Sequence, residues 1–214
     1  MTMQKSKFLI IMMATIAIVA TTVQFGLVSH QQAYAEVNIG TEGDDHIRSG
    51  DGNDFNEGRG GDDKISSDSG FDTNIGDNQF GAGDGGDDKI KSDSESDEFG
   101  TNIGDNNFGA GDGGDDKIKS GDGFTVNYGD NQLGAGDGGD DKIKSGDSRD
   151  INFGDNANGA GEGGDDKIKS GDGDDTNIGG GGADKFNCGK GNDQVTDFNA
   201  DEGDKANKNC ENVS

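Results

Sequence analysis

Five copies of Gly-Asp-Asp-Lys-Ile, at Gly61–Ile65, Gly86–Ile90, Gly114–Ile118, Gly139–Ile143 and Gly164–Ile168, set two adjacent carboxylates before one aliphatic residue. Each follows a glycine-rich turn. Paired carboxylates on a permissive glycine backbone are the materials of a hard-cation site. Calcium takes about six to eight oxygen ligands, more than one short turn offers. Neighbouring turns would therefore share each ion through Asp carboxylates and turn carbonyls.

Sharing requires the turns to stack. Gly58, Gly83, Gly111, Gly136 and Gly161 open units 25, 28, 25 and 25 residues apart, a period that signals a solenoid. Within a unit, glycines permit a tight turn. Lys-Ile-Lys is a minimal extended strand with Ile inward and both lysines outward. One coil cannot bury its single Ile, so a core exists only once coils are stacked.

Composition excludes several alternatives. The chain has 44 Asp and Glu against 18 Lys and Arg, 27% hydrophobic residues and no Trp, which disfavours an ordinary globular core and alone would indicate disorder. Strict repetition and the lack of Pro point instead to order that depends on conditions. Nucleic acid is not an expected partner, because phosphate binding uses Lys and Arg. Cations are.

Residues 1–35 have the parts of a secretory signal: Lys5 and Lys7, the apolar run Phe8–Ala20, and Ala33-Tyr34-Ala35 before Glu36. The alternative is a retained membrane anchor, since Phe8–Val28 is long enough to span a bilayer, although Thr21, Thr22 and Gln24 interrupt it. Cleavage would leave 16 basic against 44 acidic residues, a net charge of −28. It would also leave no membrane segment and place the chain outside the cell, where weak extracellular calcium modules work.

From Glu36 the chain parses into nonapeptides. Gly40–Arg48, Gly58–Ser66, Gly83–Lys91, Gly111–Lys119, Gly136–Lys144, Gly161–Lys169, Gly179–Asn187 and Cys188–Thr196 keep Gly fourth, Asp sixth and an apolar residue eighth. This pattern resembles the RTX, or haemolysin-type, calcium-binding repeat Gly-Gly-x-Gly-x-Asp-x-U-x, with U a large aliphatic. Gly179–Asn187 matches every defined place except that U is Phe186, whereas Asp84, Asp112, Asp137 and Glu162 replace the second Gly in most other copies. The resemblance covers about residues 36–205. It implies an all-β fold, a right-handed parallel β-roll with several calcium ions along its turns. The implied ligands are Asp45, Asp63, Asp88, Asp116, Asp141, Asp166, Asp184 and Asp193, with a second row at Asp54, Asp72, Asp150 and Asp175.

The chain departs from a regular roll. Its apolar residues Ile65, Ile75, Ile90, Ile103, Ile118, Tyr128, Ile143, Phe153, Ile168 and Ile178 mostly step by alternating 10 and 15 residues, so one side must carry longer loops. The extra residues, 76–82 and its counterparts 104–110, 129–135 and 154–160, offer Phe80, Phe108 and Leu133 as a third apolar column, which Asn158 breaks; a bulge fits better than a third strand. In the second half-turns Ile75 and Ile178 come one place late, Thr125 replaces the Asp, and Glu95 and Ser148 replace the fourth Gly. That row is the poorer one. Ser92–Gly100, three residues longer, reads as a solvated excursion rather than a further site.

Catalysis finds no support. His46 is the only histidine after the signal and sits at an outward strand place, and there is no His-Glu-x-x-His motif. Cys188 and Cys210, the only cysteines, are expected to pair on export; ligation of a metal by two thiols is the alternative. A disulfide would staple the tail 197–214 over the last coil, where Asp197-Phe198 and Gly203-Asp204 resemble the closing cap of RTX rolls.

The sequence thus divides into a signal peptide (1–35), a repeat solenoid (36–196) and a C-terminal cap (197–214). The expected protein is secreted, non-enzymatic and structural, loose without calcium and folded with it. One alternative is a surface adhesin whose partner is a cell-surface or matrix polymer, recognised by an outward ladder of Asn74, Asn102, Asn127, Asn152 and Asn177. Another is a detached toxin module, disfavoured because the chain has no room for a pore-forming or catalytic domain. The Lys ladders read either as a solvated face or as a polyanion site.

Overall fold

Every Lys-Ile-Lys tripeptide is a strand, and its Ile points inward. The structure, a computed structural model, describes residues 34–78, 83–95, 98–106, 111–130, 136–155 and 161–214. Among these, seventeen short strands alternate between two parallel sheets, and no helix occurs. One sheet contains β1 (Val37–Ile39), β3 (Phe55–Arg59), β5 (Thr73–Asp77), β7 (Phe99–Asp105), β9 (Phe124–Asp130), β11 (Ile151–Asp155), β13 (Thr176–Ile178), β15 (Gln194–Val195) and β17 (Asn212–Val213). The other contains β2 (His46–Arg48), β4 (Lys64–Ser67), β6 (Lys89–Ser92), β8 (Lys117–Lys119), β10 (Lys142–Lys144), β12 (Lys167–Asp172), β14 (Lys185–Lys190) and β16 (Lys205–Ala206). Because consecutive strands alternate between sheets and each pairs with the strand two places on, the chain is a parallel β-roll.

Register in the even-numbered sheet, the lysine sheet, is set by its aliphatic column. Ile47, Ile65, Ile90, Ile118, Ile143, Ile168 and Phe186 stand directly opposite one another. All are buried. A one-residue slip would expose the whole column, so the pairing is strongly specified.

The odd-numbered sheet reverses the expectation. The inward column is Asn56, Asn74, Asn102, Asn127, Asn152 and Asn177, each with 0% exposure. Ile103, Tyr128, Phe153 and Ile178 alternate with them, lie on the outer face and are half-buried. Two expectations fail together: Ile103, Tyr128, Phe153 and Ile178 do not point inward, whereas Val195, in register with Asn177, does, and the asparagines do not form an outward adhesive ladder. The cause is the late Ile. Keeping Asp at the turn puts Asn in the inward eighth place, and the one-residue offset sends Ile to the other face.

Hydrogen bonding makes a buried asparagine column tenable. Asn177, last in the column, donates to Cys188 Sγ at 3.7 Å, and each earlier amide nitrogen donates to the next coil's amide oxygen, as from Asn74 to Asn102 at 2.9 Å and Asn102 to Asn127 at 2.9 Å. Its second proton goes to a serine hydroxyl across the interior, Asn74 to Ser67 at 3.0 Å and Asn152 to Ser145 at 3.1 Å. With both donors used, the buried amide escapes the cost of about 1–3 kcal/mol for an unmade hydrogen bond. The interior is therefore half aliphatic and half polar. On the outer face, the Tyr128 and Phe153 rings stack at 4.7 Å.

At the C-terminal end, β16 and β17 pair in parallel with β14 and β15, so the tail extends both sheets by a short coil. Cys188 and Cys210 form a disulfide, with Cα atoms 5.1 Å apart. Cys188 continues the interior serine column and is fully buried. A closed loop of this size restricts the unfolded chain by roughly 3 kcal/mol in the chain-entropy model. Changing both cysteines to Ser is expected to raise the calcium concentration needed to fold the last coils, read by circular dichroism; an unchanged midpoint would remove the staple from the account.

Residues 1–33 of the proposed signal (1–35), and the candidate third apolar column, Phe80, Phe108 and Leu133 with its break at Asn158, lie outside the described residues. No described helix is long and apolar enough to cross a membrane.

Candidate metal centre

The sixth-position aspartates line one edge of the roll, where the chain enters the lysine sheet. Asp63, Asp88, Asp116, Asp141, Asp166 and Asp184 are all buried, while Asp45 at the first coil is half-buried. From Asp63 to Asp184 each carboxylate is oriented by a backbone N–H of the preceding coil: Asp63 N–H donates to Asp88 Oδ1 (2.7 Å), Asp88 N–H to Asp116 Oδ1 (2.8 Å) and Asp116 N–H to Asp141 Oδ1 (2.8 Å). The other oxygen, Oδ2, of Asp63, Asp88, Asp116, Asp141, Asp166 and Asp184 is buried and accepts no hydrogen bond. It points at a strand-end glycine. A Cβ at Gly104 would collide with the Asp116 carboxylate and the Gly129 carbonyl oxygen, which explains why glycine ends these strands.

A second aspartate column, absent from the sequence-derived ligands, faces the first. Asp77, Asp105, Asp130 and Asp155 end β5, β7, β9 and β11 in direct register and are buried. Gly86, Gly114 and Gly139 N–H groups donate to Asp77, Asp105 and Asp130 Oδ2 at 2.6, 2.5 and 2.6 Å. The remaining oxygen of Asp105, Asp130 and Asp155 is buried without a hydrogen bond. This column is finite. Arg59 occupies its place in the coil before Asp77, and Gly180 packs against Asp155 in the coil after it.

The two columns interlock into three triads: Asp77, Asp88 and Asp105; Asp105, Asp116 and Asp130; Asp130, Asp141 and Asp155. In each, one carboxylate oxygen per residue lies within 4.8 Å of the others. Asp105 and Asp130 each belong to two triads. The donors are all oxygen, with no His or Cys, which suits a hard cation with a flexible shell such as calcium rather than zinc. Charge also fits: seven aspartates carry −7, and three divalent ions would bring +6.

Without a cation this arrangement resists ionisation. Burial, reinforced by Asp77 and Asp105, pushes Asp88 up to about 9. Burial and like-charged neighbours also raise Asp105, Asp116, Asp130 and Asp141 well above the carboxylate range. At the ends of the array the push is smaller, with Asp63 at about 6 and Asp184 at about 7, again chiefly from burial. Buried carboxylates that cannot ionise alone and have spare oxygens are the pattern a bound cation resolves.

The poorer row lies on the opposite edge. Asp54, Asp72, Asp150 and Asp175 are buried and form the same ladder, as in Asp54 N–H to Asp72 Oδ1 (3.0 Å) and Asp150 N–H to Asp175 Oδ1 (2.8 Å), and Asp193, expected in the first row, belongs here instead because it leads into β15 of the odd-numbered sheet and accepts from Asp175 N–H (2.9 Å). Their second oxygens also lack hydrogen bonds, yet the described residues form no triad on this edge. Thr125 breaks the row, its N–H and hydroxyl both donating to Asp150 Oδ1 at 2.7 Å.

The overlooked column did have a signal. Asp77, Asp105, Asp130 and Asp155 each precede a sixth-position Asp by 11 residues, always as Gly-Asp-Asn. The fold and this site define a parallel β-roll with buried aspartate triads able to hold metal ions. Comparison with protein-family models, curated sequences and solved structures returns no match.

Proposed function

We propose that this chain is an exported calcium-binding β-roll, loose without the ion and folded when calcium enters its turns, that acts as a non-enzymatic extracellular structural module. The observation that carries the reading is the set of three triads joined through Asp105 and Asp130, with buried oxygens that have no hydrogen-bond partner. Calcium as the ion is supported by the all-oxygen donor set and by the likeness of the nonapeptides to RTX repeats. Export is supported by the signal-like residues 1–35 and by the disulfide. A structural role is supported by the uniform recurrence of the carboxylates and the solvated place of His46. As an adhesin, the chain would have to use a surface other than its buried asparagines.

Isothermal titration of residues 36–214 tests the ion. Calcium is expected to bind cooperatively at three sites or more, because neighbouring triads share ligands, and magnesium to bind weakly, because it dehydrates reluctantly and demands stricter octahedral geometry. Absence of calcium binding, or equal binding of both ions, would refute the reading.

A further inference from the structure

The outer face of the lysine sheet concentrates the chain's positive charge. Lys89, Lys117, Lys142 and Lys167 stand directly opposite one another, as do Lys91, Lys119, Lys144 and Lys169. With Arg48, Lys64, Lys185 and Lys205, twelve of the chain's 18 basic residues project from this one face, all exposed. Among the described residues, Lys91 alone of these twelve forms an ion pair, with Asp93, while Lys190 at the end of β14 pairs with Asp172 at 2.6 Å. Like charges directly opposite across strands are destabilising, and alternating Lys with Glu from coil to coil would remove the cost. A chain with 44 acidic residues puts none at these positions.

We propose that this face binds a linear acidic polysaccharide laid along the axis of the roll. Its charge repeats at the coil spacing of about 4.8 Å, in two columns separated by two strand residues, or roughly 7 Å. That strip is bounded on both sides by carboxylates. Exposed Asp62, Asp87, Asp115 and Asp140 precede the first lysine column. Across a groove from the second column lie Asp122, Asp147 and Asp172. Acidic borders repel a broad anionic surface such as a bilayer or a nucleic-acid duplex and admit a single thin chain. A single nucleic-acid strand would need aromatic platforms for its bases, and the outward positions of this sheet hold no Phe, Tyr or Trp. Lysines, as flexible point charges, suit carboxylate or sulfate groups that recur along a polymer.

The inference goes beyond the proposed function, takes up the matrix polymer of the adhesin alternative, and rests on the fold rather than on calcium occupancy. Residues 36–214 and the variant Lys117→Gln, Lys119→Gln, Lys142→Gln, Lys144→Gln are compared at fixed millimolar calcium and low salt. The probes are hyaluronan (carboxylate), chondroitin sulfate (carboxylate and sulfate) and oligo(dT), with the calcium midpoint of folding measured by circular dichroism on the same samples. Expected is salt-sensitive binding of one or both polysaccharides, at least tenfold weaker in the variant, which still folds completely at that calcium concentration. Preference for hyaluronan or for chondroitin sulfate assigns the anionic group. Equal binding by the variant, no polysaccharide binding by the folded wild type, or preference for oligo(dT) would overturn the proposal. A roll indifferent to calcium that still binds the polymer would refute the calcium reading and leave this one standing.

Discussion

Replacing Asp105 and Asp130 together by Asn is expected to have opposite effects with and without calcium. These residues serve all three triads, the middle one twice. In calcium, the outer triads lose one of three carboxylates and the middle triad two. Unit charges about 4 Å apart interact by roughly 4 kcal/mol at the effective dielectric of such sites, and about 1.4 kcal/mol is tenfold in affinity. A loss of at least about 100-fold in calcium affinity, with loss of cooperativity, is therefore expected in titration calorimetry. In chelator the same change removes two buried charges that burial and neighbouring aspartates oppose, so the variant should be more ordered than wild type by circular dichroism. An ordinary core substitution destabilises under both conditions. Wild-type affinity and cooperativity in the variant would show that the triads do not hold the ions through these shared ligands.

Acid should partly replace calcium. The folded-state pKa of Asp88 is raised to about 9, of Asp184 to about 7 and of Asp63 to about 6, against an unfolded value of about 3.9. A carboxyl raised by folding binds more protons folded than unfolded. Its contribution is complete below pH about 4 and is lost as pH rises through the folded pKa values, here between about 6 and 9. The metal-free roll should accordingly be more ordered at pH 5 than at pH 8. Calcium binding runs the other way, since ligands must be deprotonated, and should weaken as pH falls. Metal-free protein with equal order at pH 5 and pH 8, or more at pH 8, would contradict the burial described for these groups.

The sequence makes the lysine sheet fully legible, because Gly-Asp-Asp-Lys-Ile fixes turn, ligand and inward residue within five positions. The buried column from Ile47 to Phe186 and the outward lysines follow from it. The opposite sheet was not legible from hydrophobicity. Asn74 and its counterparts are inward because each finds a partner in the next coil and another in a serine of the facing strand, a compensation that appears only once coils are stacked. The site was half visible. Asp88, Asp116 and Asp141 follow from the nonapeptide, whereas Asp105 and Asp130 come from residues that look like loop insertions, and only the register of β7 and β9 brings them beside the first column.

The central claim is that metal binding supplies the free energy for folding. Each coil buries one large aliphatic side chain on one sheet and an amide on the other, so little apolar surface offsets the ordering of the chain and the repulsion among its carboxylates. An ion that binds only the folded form shifts the equilibrium by mass action. The most direct test is circular dichroism with hydrodynamic radius for residues 36–214, first in excess chelator and then in millimolar calcium or magnesium. The account predicts an expanded, weakly structured chain in chelator, a compact β spectrum in calcium and poor recovery in magnesium. A compact β spectrum that persists in chelator at neutral pH would contradict it.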